Sequence, residues 1–402
     1  MNVFLLGNGF DLHHKFPTAY IDFLKTVNYL ADLKDYSNIK TIYDVFSNND
    51  LQASCKNIKS YVEQHKGILE KVSLPEYQIE EFRCKAKSNL WFQYLSKILN
   101  KDLGWIDFEK EIANVIDAFR CVFESIDDWG KCDKIERSLY IIYHFPYFFN
   151  NKKGEWNKLG YFYLDDIKPK YKTENPIGSG LFEIDCKQII EDLYKSLEEL
   201  QDMLNEYLRV FVEYVLDEME SNGYVADNRS YPDIVTYVFN FNYTYTVEKI
   251  SSIQFINEVV HIHSDVENGI ILGVNPDKYD DLETVDTTFI KFKKYYQRII
   301  GYSDSDFRRA VNWIKNSIEP HNVHLYVVGH SLDVTDKDII MELFELATEI
   351  TIFYHNKTNM GIYTENLIKM YGKEAYDVIR DKKKIKYLLH TDINWSVKND
   401  QL

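Results

Sequence analysis

The chain opens with a short apolar run, Val3 to Leu6, that ends directly at Gly7-Asn8-Gly9. Such a run is typical of a buried parallel strand, and a G-x-G after it lets the backbone turn sharply and approach a ligand phosphate. Leu12 stands where the dinucleotide fingerprint has its third glycine, so the pattern is incomplete. Taken alone, the stretch fits a ligand-free strand-to-helix turn equally well, with Thr18 able to cap the helix that follows.

The other strand candidates lie far from the first one, beyond residue 231. They are the runs Ile234 to Asn240, Glu258 to His263, Gly269 to Leu272, Val323 to Val328, Glu349 to Tyr354 and Ile385 to Leu389. Residues 26–230 instead favour helices, most clearly from Lys187 to Glu220. Because alternating strands and helices indicate a parallel sheet, we expect an α/β fold. Residues 1–25 and 231–402 would form a Rossmann-like, mostly parallel core, and residues 26–230 a mainly helical insertion domain.

Amino-acid composition limits the kinds of binding partner and indicates the cellular compartment. With 63 acidic and 47 basic side chains the net charge is −16, which predicts neither a nucleic-acid nor a membrane partner. Five scattered cysteines favour reduced thiols, and no leader or long apolar span is visible, so we expect a cytoplasmic protein. The aromatic-rich segment 140–175 is interpreted as packing of a small subdomain, with a hairpin, lid or partner surface as alternatives.

Four polar clusters fall where predicted strands end. They are Gly7 to Asp11, Phe241 to Thr246, His261 to Ser264, and Gly329 to Asp333 with Asp336. Open α/β sheets bind ligands at the carboxyl ends of their strands. The recurrence of polar residues at that position therefore predicts one composite site.

Within these clusters, each residue has an ordinary alternative. Asn242 and Thr244 suit ribose or phosphate oxygens, but they also suit a capped turn. His261 and His263 would share one face of a strand, with His263 as a base and His261 as a core histidine. A metal there is disfavoured because no Cys or His stands at zinc-ligand spacing. Ser331 is not in a G-x-S-x-G elbow, so it is not predicted to be a covalent nucleophile.

The ordered set of motifs resembles the AbiH family of bacteriophage abortive-infection proteins. The motifs are Leu5 to Leu12, Pro17-Thr18 with Tyr20, Trp105 with Asp107 to Glu109, Phe241 to Thr244, His261 to His263, Ile271 to Gly273, and Gly329 to Asp333. That family is in turn similar to sirtuin-like NAD-binding domains. This second resemblance aligns Asn242 and His263 with the sirtuin asparagine and catalytic histidine. It implies a sirtuin-like fold.

The resemblance implies an antiphage effector that cleaves NAD⁺ at the nicotinamide–ribose bond. It makes Asn242, His263 and Asp11 the catalytic residues: Asn242 positions ribose or water, His263 is the general base, and Asp11 contacts nicotinamide. The implied cofactor-binding residues are Gly7, Asn8, Gly9, Phe10, Thr244, Gly329, Ser331 and Asp333. NAD is then a substrate, and no metal is predicted. Two positions depart from the family pattern: Ser264 replaces a glycine and Lys15 a small residue.

Two further classes of function stay open. The same clusters could bind a nucleotide as a sensor or switch without turnover. A metal-dependent nuclease could instead use Asp11, His263, Asp333 and Asp336, although the acidic net charge weighs against it. The expected partners are a nucleotide, a phage-derived trigger and, by analogy with inducible systems, a second copy of the chain.

Overall fold

A six-stranded sheet in which every strand is parallel forms the centre of the computed structural model of the chain. The structure describes residues 1–99, 107–127, 145, 148, 168–174, 182–227, 231–232, 234–255, 257–274, 287–316, 322–382, 385–390 and 394–397. Together with many helices, this sheet confirms the predicted α/β class.

The strands are β1 (Asn2–Leu6), β2 (Lys172–Glu174), β3 (Phe182–Ile184), β4 (Tyr224–Asp227), β5 (Ile234–Val235), β6 (Tyr237–Asn240), β7 (Gln254–Phe255), β8 (Val259–His261), β9 (His324–Val328), β10 (Glu349–Tyr354), β11 (Lys386–Leu389) and β12 (Asn394–Val397). The central sheet has the order β11-β10-β9-β1-β6-β8. The other six strands form the pairs β2-β3, β4-β12 and β5-β7.

The first strand lies in the middle of the sheet because its side chains are apolar on both faces. Leu5 stands opposite Phe239 of β6 on one side and Val327 of β9 on the other. Phe4 and Leu5 point to opposite faces of the sheet, and both are fully buried. A continuous apolar run is what a strand covered on both faces requires.

The helices are α1 (Gly9–His13), α2 (Tyr20–Asp32), α3 (Ile42–Phe46), α4 (Asn49–Ser54), α5 (Lys56–Leu69), α6 (Glu76–Ser88), α7 (Leu90–Leu99), α8 (Phe108–Asp127), α9 (Cys186–Leu208), α10 (Tyr214–Ser221), α11 (Thr246–Ile250), α12 (Lys294–Ile300), α13 (Ser303–Asn316), α14 (Lys337–Leu346), α15 (Lys357–Tyr371) and α16 (Lys373–Lys382). The helical pattern predicted for Lys187 to Glu220 is confirmed. A π-helical turn, Arg209–Glu213, joins its two halves.

Helices α2 to α10 supply most of one large apolar cluster, in which Phe23, Trp91 and Phe211 are fully buried. Two smaller clusters cover the faces of the central sheet, one around Leu5 and one around Phe4. Every strand of the central sheet comes either from the first six residues or from beyond residue 236. The division of the chain into a core and an insertion domain stays a prediction.

Several local predictions differ from the structure. The run Gly269 to Leu272 forms no strand. Helix α2 begins after Ala19, whose amide bonds to Asp22, so Thr18 does not cap it. Cys121 is in a disulfide, so reduced thiols are wrong at that position. Most of segment 140–175, like Trp105, lies outside the described residues. No helix in the described part of the chain has the length and apolar character needed to cross a membrane.

Candidate functional site

The four polar clusters follow four strands that are neighbours in the sheet. Reading across it, these strands are β9, β1, β6 and β8. All run parallel, so the four following turns meet at the same edge. The prediction that these clusters come together is therefore confirmed.

The glycine turn after β1 packs against the turn after β9. The Gly9 amide donates to the Gly329 carbonyl at 2.8 Å, and the Gly7 amide donates to the Val328 carbonyl at 3.0 Å. A Cβ on Gly9 would lie 2.6 Å from the Gly329 oxygen, and one on Gly7 would lie 2.6 Å from the His330 Cα. Glycine is thus required here because two loops approach each other closely, whether or not a ligand binds.

This packing also occupies amides that were predicted to hold a diphosphate. Besides Gly7 and Gly9, the Phe10 amide donates to the Gly7 carbonyl at 2.8 Å. The Asn8 side chain is exposed and accepts a hydrogen bond from the Thr18 hydroxyl at 2.5 Å. Phosphate binding by this turn stays a prediction. Within the turn it would depend chiefly on the backbone amide of Asn8.

Asp11 forms one buried cluster with the turn after β6, which we call the Asp11 cluster: Asp11, Asn242 and Thr244. The Asn242 amide donates to Asp11 Oδ1 at 3.3 Å, and the Thr244 hydroxyl donates to Oδ2. Burial raises the pKa of Asp11 to about 7, although hydrogen bonds from Thr244 and Thr246 lower it. Near neutral pH the carboxyl group is therefore partly protonated.

A second buried cluster, the Asp336 cluster, contains His263, Asp336, Lys294 and Glu109. His263 Nε2 lies 3.0 Å from Asp336 Oδ1, and the Lys294 ammonium donates to the same oxygen at 2.9 Å. Lys294 also lies 2.8 Å from Glu109 Oε1. The lysine comes from the start of α12 and the glutamate from the first turn of α8, so with His263 and Asp336 four separate parts of the chain meet here.

The charges in the Asp336 cluster follow from one cation shared between two carboxyl groups. Burial alone would raise the pKa of Asp336, but Lys294 and His263 hold it well below its ordinary value. Burial raises the pKa of Glu109, and Lys294 only partly opposes this effect. A single ammonium cannot neutralise two buried carboxylates. Asp336 is therefore the anionic partner, and Glu109 is the group that takes up a proton.

His263 is held as a neutral imidazole with a defined tautomer. Burial lowers its pKa to about 4, and the nearby Lys294 charge adds to this effect. Because the Asp336 carboxylate can only accept, Nε2 carries the ring proton. The Nδ1 lone pair is buried and has no hydrogen-bond partner among the described residues, as is true of Asn242 Oδ1. An acceptor held in this way can take a proton from a bound water or hydroxyl group.

Phe241 and His330 complete the wall around His263. The Phe241 ring makes edge contacts with both histidines, at centroid distances of 5.3 Å to His263 and 4.4 Å to His330. His330 Nδ1 accepts from the Leu332 amide at 2.9 Å, which leaves Nε2 directed towards Asp336 Oδ2 at 3.7 Å. Phe241 is also the neighbour of Asn242, so it links the two clusters along the chain.

His261 and His263 do not share a strand face, as the sequence pattern had predicted. Strand β8 ends at His261, and His263 lies in the turn beyond it. Both ring nitrogens of His261 are bonded, Nδ1 to the Asn242 carbonyl at 3.0 Å and Nε2 to Glu248 at 2.8 Å. Although burial alone would lower it, the Glu248 carboxylate raises the pKa of His261. The prediction of a satisfied core histidine is confirmed.

The remaining predicted ligand residues serve local structure. The Phe10 ring is buried against the sheet. Asp333 Oδ1 accepts from the Thr335 amide at 3.0 Å and caps a short helical turn. Ser331 is exposed, and its carbonyl accepts from Asn366. Their part in binding a ligand stays a prediction.

The two departures from the family pattern both occupy left-handed backbone. Ser264 has φ of 62° and Lys15 has φ of 69°. Side chains with a Cβ are disfavoured in this region, which explains why a glycine suits the position of Ser264. Ser264 directly follows His263, and Lys15 follows the helix that carries Asp11.

Lys294 is the member of the Asp336 cluster that sequence reasoning missed. It stands in a run with Lys291 and Lys293, a pattern typical of a solvated face. In the structure its side chain is 1% exposed and lies between two carboxyl groups. Its partners Glu109 and Asp336 are far from it in the sequence, so no local pattern reports its burial.

Comparison with known proteins gives one match. The family model described as "Bacteriophage abortive infection AbiH" matches residues 3–355, which include both clusters. No curated protein and no solved structure matches the chain.

Proposed function

The chain belongs to the AbiH family of bacteriophage abortive-infection proteins, and from this premise we propose that it is an antiphage effector that hydrolyses the nicotinamide–ribose bond of NAD⁺. One observation carries the proposal. His263 is a neutral, buried imidazole that is oriented by Asp336, and its Nδ1 lone pair has no partner among the described residues. That is the state a general base needs.

In the proposed reaction, the bond between ribose C1′ and the nicotinamide nitrogen breaks, and a water oxygen bonds to C1′. The bonding electrons leave with nicotinamide, which departs neutral because it is cationic in NAD⁺. The proton of the attacking water passes to His263 Nδ1. Asp336 stabilises the resulting imidazolium, and Lys294 keeps Asp336 ionised. The products are nicotinamide, ADP-ribose and a proton.

The Asp11 cluster would position the ribose in this scheme. Asn242 Oδ1 is buried without a partner among the described residues, and it suits a ribose hydroxyl or the attacking water. Asp11 would contact nicotinamide, and the Asn8 amide would lie on the phosphate side. A sirtuin-like relationship would explain why the glycine turn, Asn242 and His263 follow neighbouring strands. The all-parallel sheet is compatible with it.

The burial of both clusters supports an inactive resting form. Asp11 is 1% exposed and His263 5% exposed, so NAD⁺ must gain entry by movement of a neighbouring segment. An abortive effector has to be silent before infection. We therefore propose that a phage-derived trigger, acting with or without self-assembly, opens the site.

A second candidate function is a nucleotide-binding switch without turnover. The observation that favours it is that most polar groups at the sheet edge are bonded to one another, including the Gly7 and Gly9 amides and both Asp11 oxygens. A metal-dependent nuclease is less well supported. Asp336 already has an ammonium partner, and within the described structure its carboxylate belongs to no group of three metal-ligand side chains.

A test of turnover compares His263→Asn with a control that removes a histidine elsewhere on the same sheet, His324→Asn. His324 begins β9 at the opposite end of the strands from the site. The purified chain, activated with phage lysate, is incubated with NAD⁺, and nicotinamide is measured by mass spectrometry. We expect a 10²–10⁴-fold lower rate for His263→Asn and an unchanged rate for the control. Intact NAD⁺ with the parent protein, combined with NAD⁺ binding, would favour the switch instead.

A further inference from the structure

Three histidines converge at the other side of the same sheet edge, away from the Asp336 cluster. His13 is the last residue of α1, His355 directly follows β10, and His390 directly follows β11. Their ligand nitrogens all lie within 4.8 Å of one another. Among the described residues this is the one group of three or more potential ligands that could hold a metal ion.

We propose that His13, His355 and His390 form a binding site for a divalent transition metal of the Zn²⁺ type. The ring centroids are 4.0 Å apart for His13 and His390, 4.8 Å for His355 and His390, and 5.4 Å for His13 and His355. Three nitrogens at about 2.0–2.1 Å from one zinc ion lie roughly 3.3 Å apart. The ligand nitrogens already lie within 4.8 Å of one another, and rotation of the exposed His355 side chain would bring its nitrogen closer to the other two.

The ligand chemistry selects the class of metal. Three imidazoles with no carboxylate suit Zn²⁺, Cu²⁺ or Ni²⁺ and do not suit Mg²⁺ or Ca²⁺, which prefer oxygen ligands. Three protein ligands leave a fourth position for water or a substrate atom, as in catalytic zinc sites. Because His355 is exposed, that open position would face solvent.

Tyr231 provides the outer contact that orients a metal-binding histidine. Its hydroxyl is hydrogen-bonded to His390 Nε2. In the proposed site Nε2 would donate to the tyrosine oxygen, and Nδ1 would be the ligand atom. The Tyr231 ring is itself buried and packs edge-on against Phe353 at 5.2 Å. Fixing one nitrogen of a histidine in this way sets the direction of the other, and outer contacts of this kind affect metal affinity by about 10–100-fold.

A bound metal would join parts of the chain that are far apart in sequence. His13 lies four residues beyond Gly9, whereas His390 directly follows β11, an edge strand of the sheet. The ion would therefore tie the helix after the glycine turn to β10 and β11. No spacing rule predicts this site, because the three residues are scattered over the sequence. The inference does not depend on NAD⁺ hydrolysis.

The experiment titrates the metal-free full chain with Zn²⁺ by calorimetry and with Co²⁺ by visible absorption. We expect one ion per chain, with the absorption of a four-coordinate Co²⁺ site, and a higher Tm when Zn²⁺ is present. His355→Ala should weaken binding at least 10-fold, and Tyr231→Phe by about 10-fold. His324→Ala, the matched control, should bind as the parent protein does.

Circular dichroism and the metal-free Tm verify that each variant folds. His355→Ala is the decisive variant because His355 is the exposed member of the three histidines. Absence of stoichiometric binding in the parent chain would overturn the proposal, and so would equal affinity in His355→Ala. In either case the three rings would be packed together without a ligand function.

Discussion

Two aspartates at the same sheet edge have opposite charge behaviour. Asp11 and Asp336 are 1% and 6% exposed, and both accept hydrogen bonds from neighbouring side chains. Yet burial raises the pKa of Asp11 to about 7, while the pKa of Asp336 is held well below its ordinary value. The difference is Lys294, which contacts Asp336 at 2.9 Å and has no counterpart among the described contacts of Asp11.

The comparison teaches that burial does not decide the charge of these groups. Desolvation acts on both carboxyl groups in the same direction. The Lys294 ammonium, at hydrogen-bond distance, reverses the effect of desolvation on the pKa of Asp336. The neutral donors around Asp11 only reduce the effect of desolvation on its pKa. The Asp336 cluster is therefore built to keep an anion beside His263, and the Asp11 cluster to hold a group that changes protonation near neutral pH.

Removal of the cation should have the largest effect. Lys294→Met leaves Asp336 buried without its ammonium partner, so we expect a loss of about 3–5 kcal/mol in the free energy of unfolding. Lys291→Met is the matched control, because the Lys291 ammonium is partly exposed, with an ion pair to Glu191 at 2.6 Å and a cation–π contact with the Tyr194 ring at 5.4 Å. Its expected cost is below about 1 kcal/mol. Urea unfolding of both variants measures the difference, and equal costs would contradict the role assigned to Lys294.

Replacing aspartate by asparagine should change the free energy of unfolding in opposite directions at Asp336 and Asp11. Asp336→Asn removes the anion between Lys294 and His263, and we expect a loss of about 2–3 kcal/mol at pH 8. Asp11→Asn removes a carboxyl group that must ionise in a buried site, and we expect a gain of about 1–2 kcal/mol at pH 8.

The pH dependence of the Asp11→Asn effect follows from the raised pKa. Between its ordinary value of 3.8 and about 7, Asp11 binds more proton in the folded than in the unfolded protein. Its contribution to stability is thus full below about pH 4 and is lost as the pH rises to about 7. The advantage of Asp11→Asn should therefore grow over this window and vanish below it. Urea unfolding from pH 4 to 8 tests this, and a constant difference would show that Asp11 does not titrate there.

His263 should remain an active base in mildly acidic solution. Its pKa is lowered to about 4, so the neutral ring persists far below the ordinary value of 6.5. We expect the rate of NAD⁺ cleavage to hold down to about pH 5, with the acidic limb below that point. Initial rates from pH 4.5 to 8 measure this, with circular dichroism as a check on folding. A limb near pH 6.5–7 would mean that His263 is solvated, or that protonation of Asp11, whose pKa is about 7, controls the rate.

The smallest expected effect concerns the backbone beside each cluster. Two substitutions would remove a Cβ from left-handed backbone and so relieve its steric strain. They are Ser264→Gly, next to His263, and Lys15→Gly, beyond Asp11. Relief of about 1 kcal/mol is offset in part by the greater freedom of glycine in the unfolded chain, so we expect gains of about 0.5 kcal/mol. Ser305→Gly, inside α13, should instead lose about 0.5–1 kcal/mol. Thermal unfolding distinguishes the two signs.

Much of the site's location was predictable from the sequence. Strand β1 ends at Leu6 as predicted, and Asn242 and Gly329 follow β6 and β9. Turns after parallel strands meet at one edge, so reading the strands was enough to bring these turns together. His263 reaches the same edge even though its strand ends two residues earlier than the pattern suggested.

The partners within the site were not predictable. Lys294 stands in a lysine run that is typical of a surface, and Glu109, although it lies in the family motif Asp107 to Glu109, carries no local signal that pairs it with Lys294. The glycines of the first turn were interpreted as an approach to phosphate, whereas Gly9 and Gly329 approach each other. The convergence of His13, His355 and His390 likewise requires the order of strands β9, β10 and β11.

The amino-acid sequence alone establishes the family, the α/β class and the turns that carry polar residues. These properties depend on apolar runs and local turn chemistry, which act over a few residues. Tertiary structure decides which of the two aspartates, Asp11 or Asp336, is charged and which nitrogen of His263 carries the proton. It also decides which histidines could share a metal. These depend on distances of 3–5 Å between residues far apart in the chain. Electrostatic and metal-binding free energies change steeply over such distances, so only the packed chain fixes them.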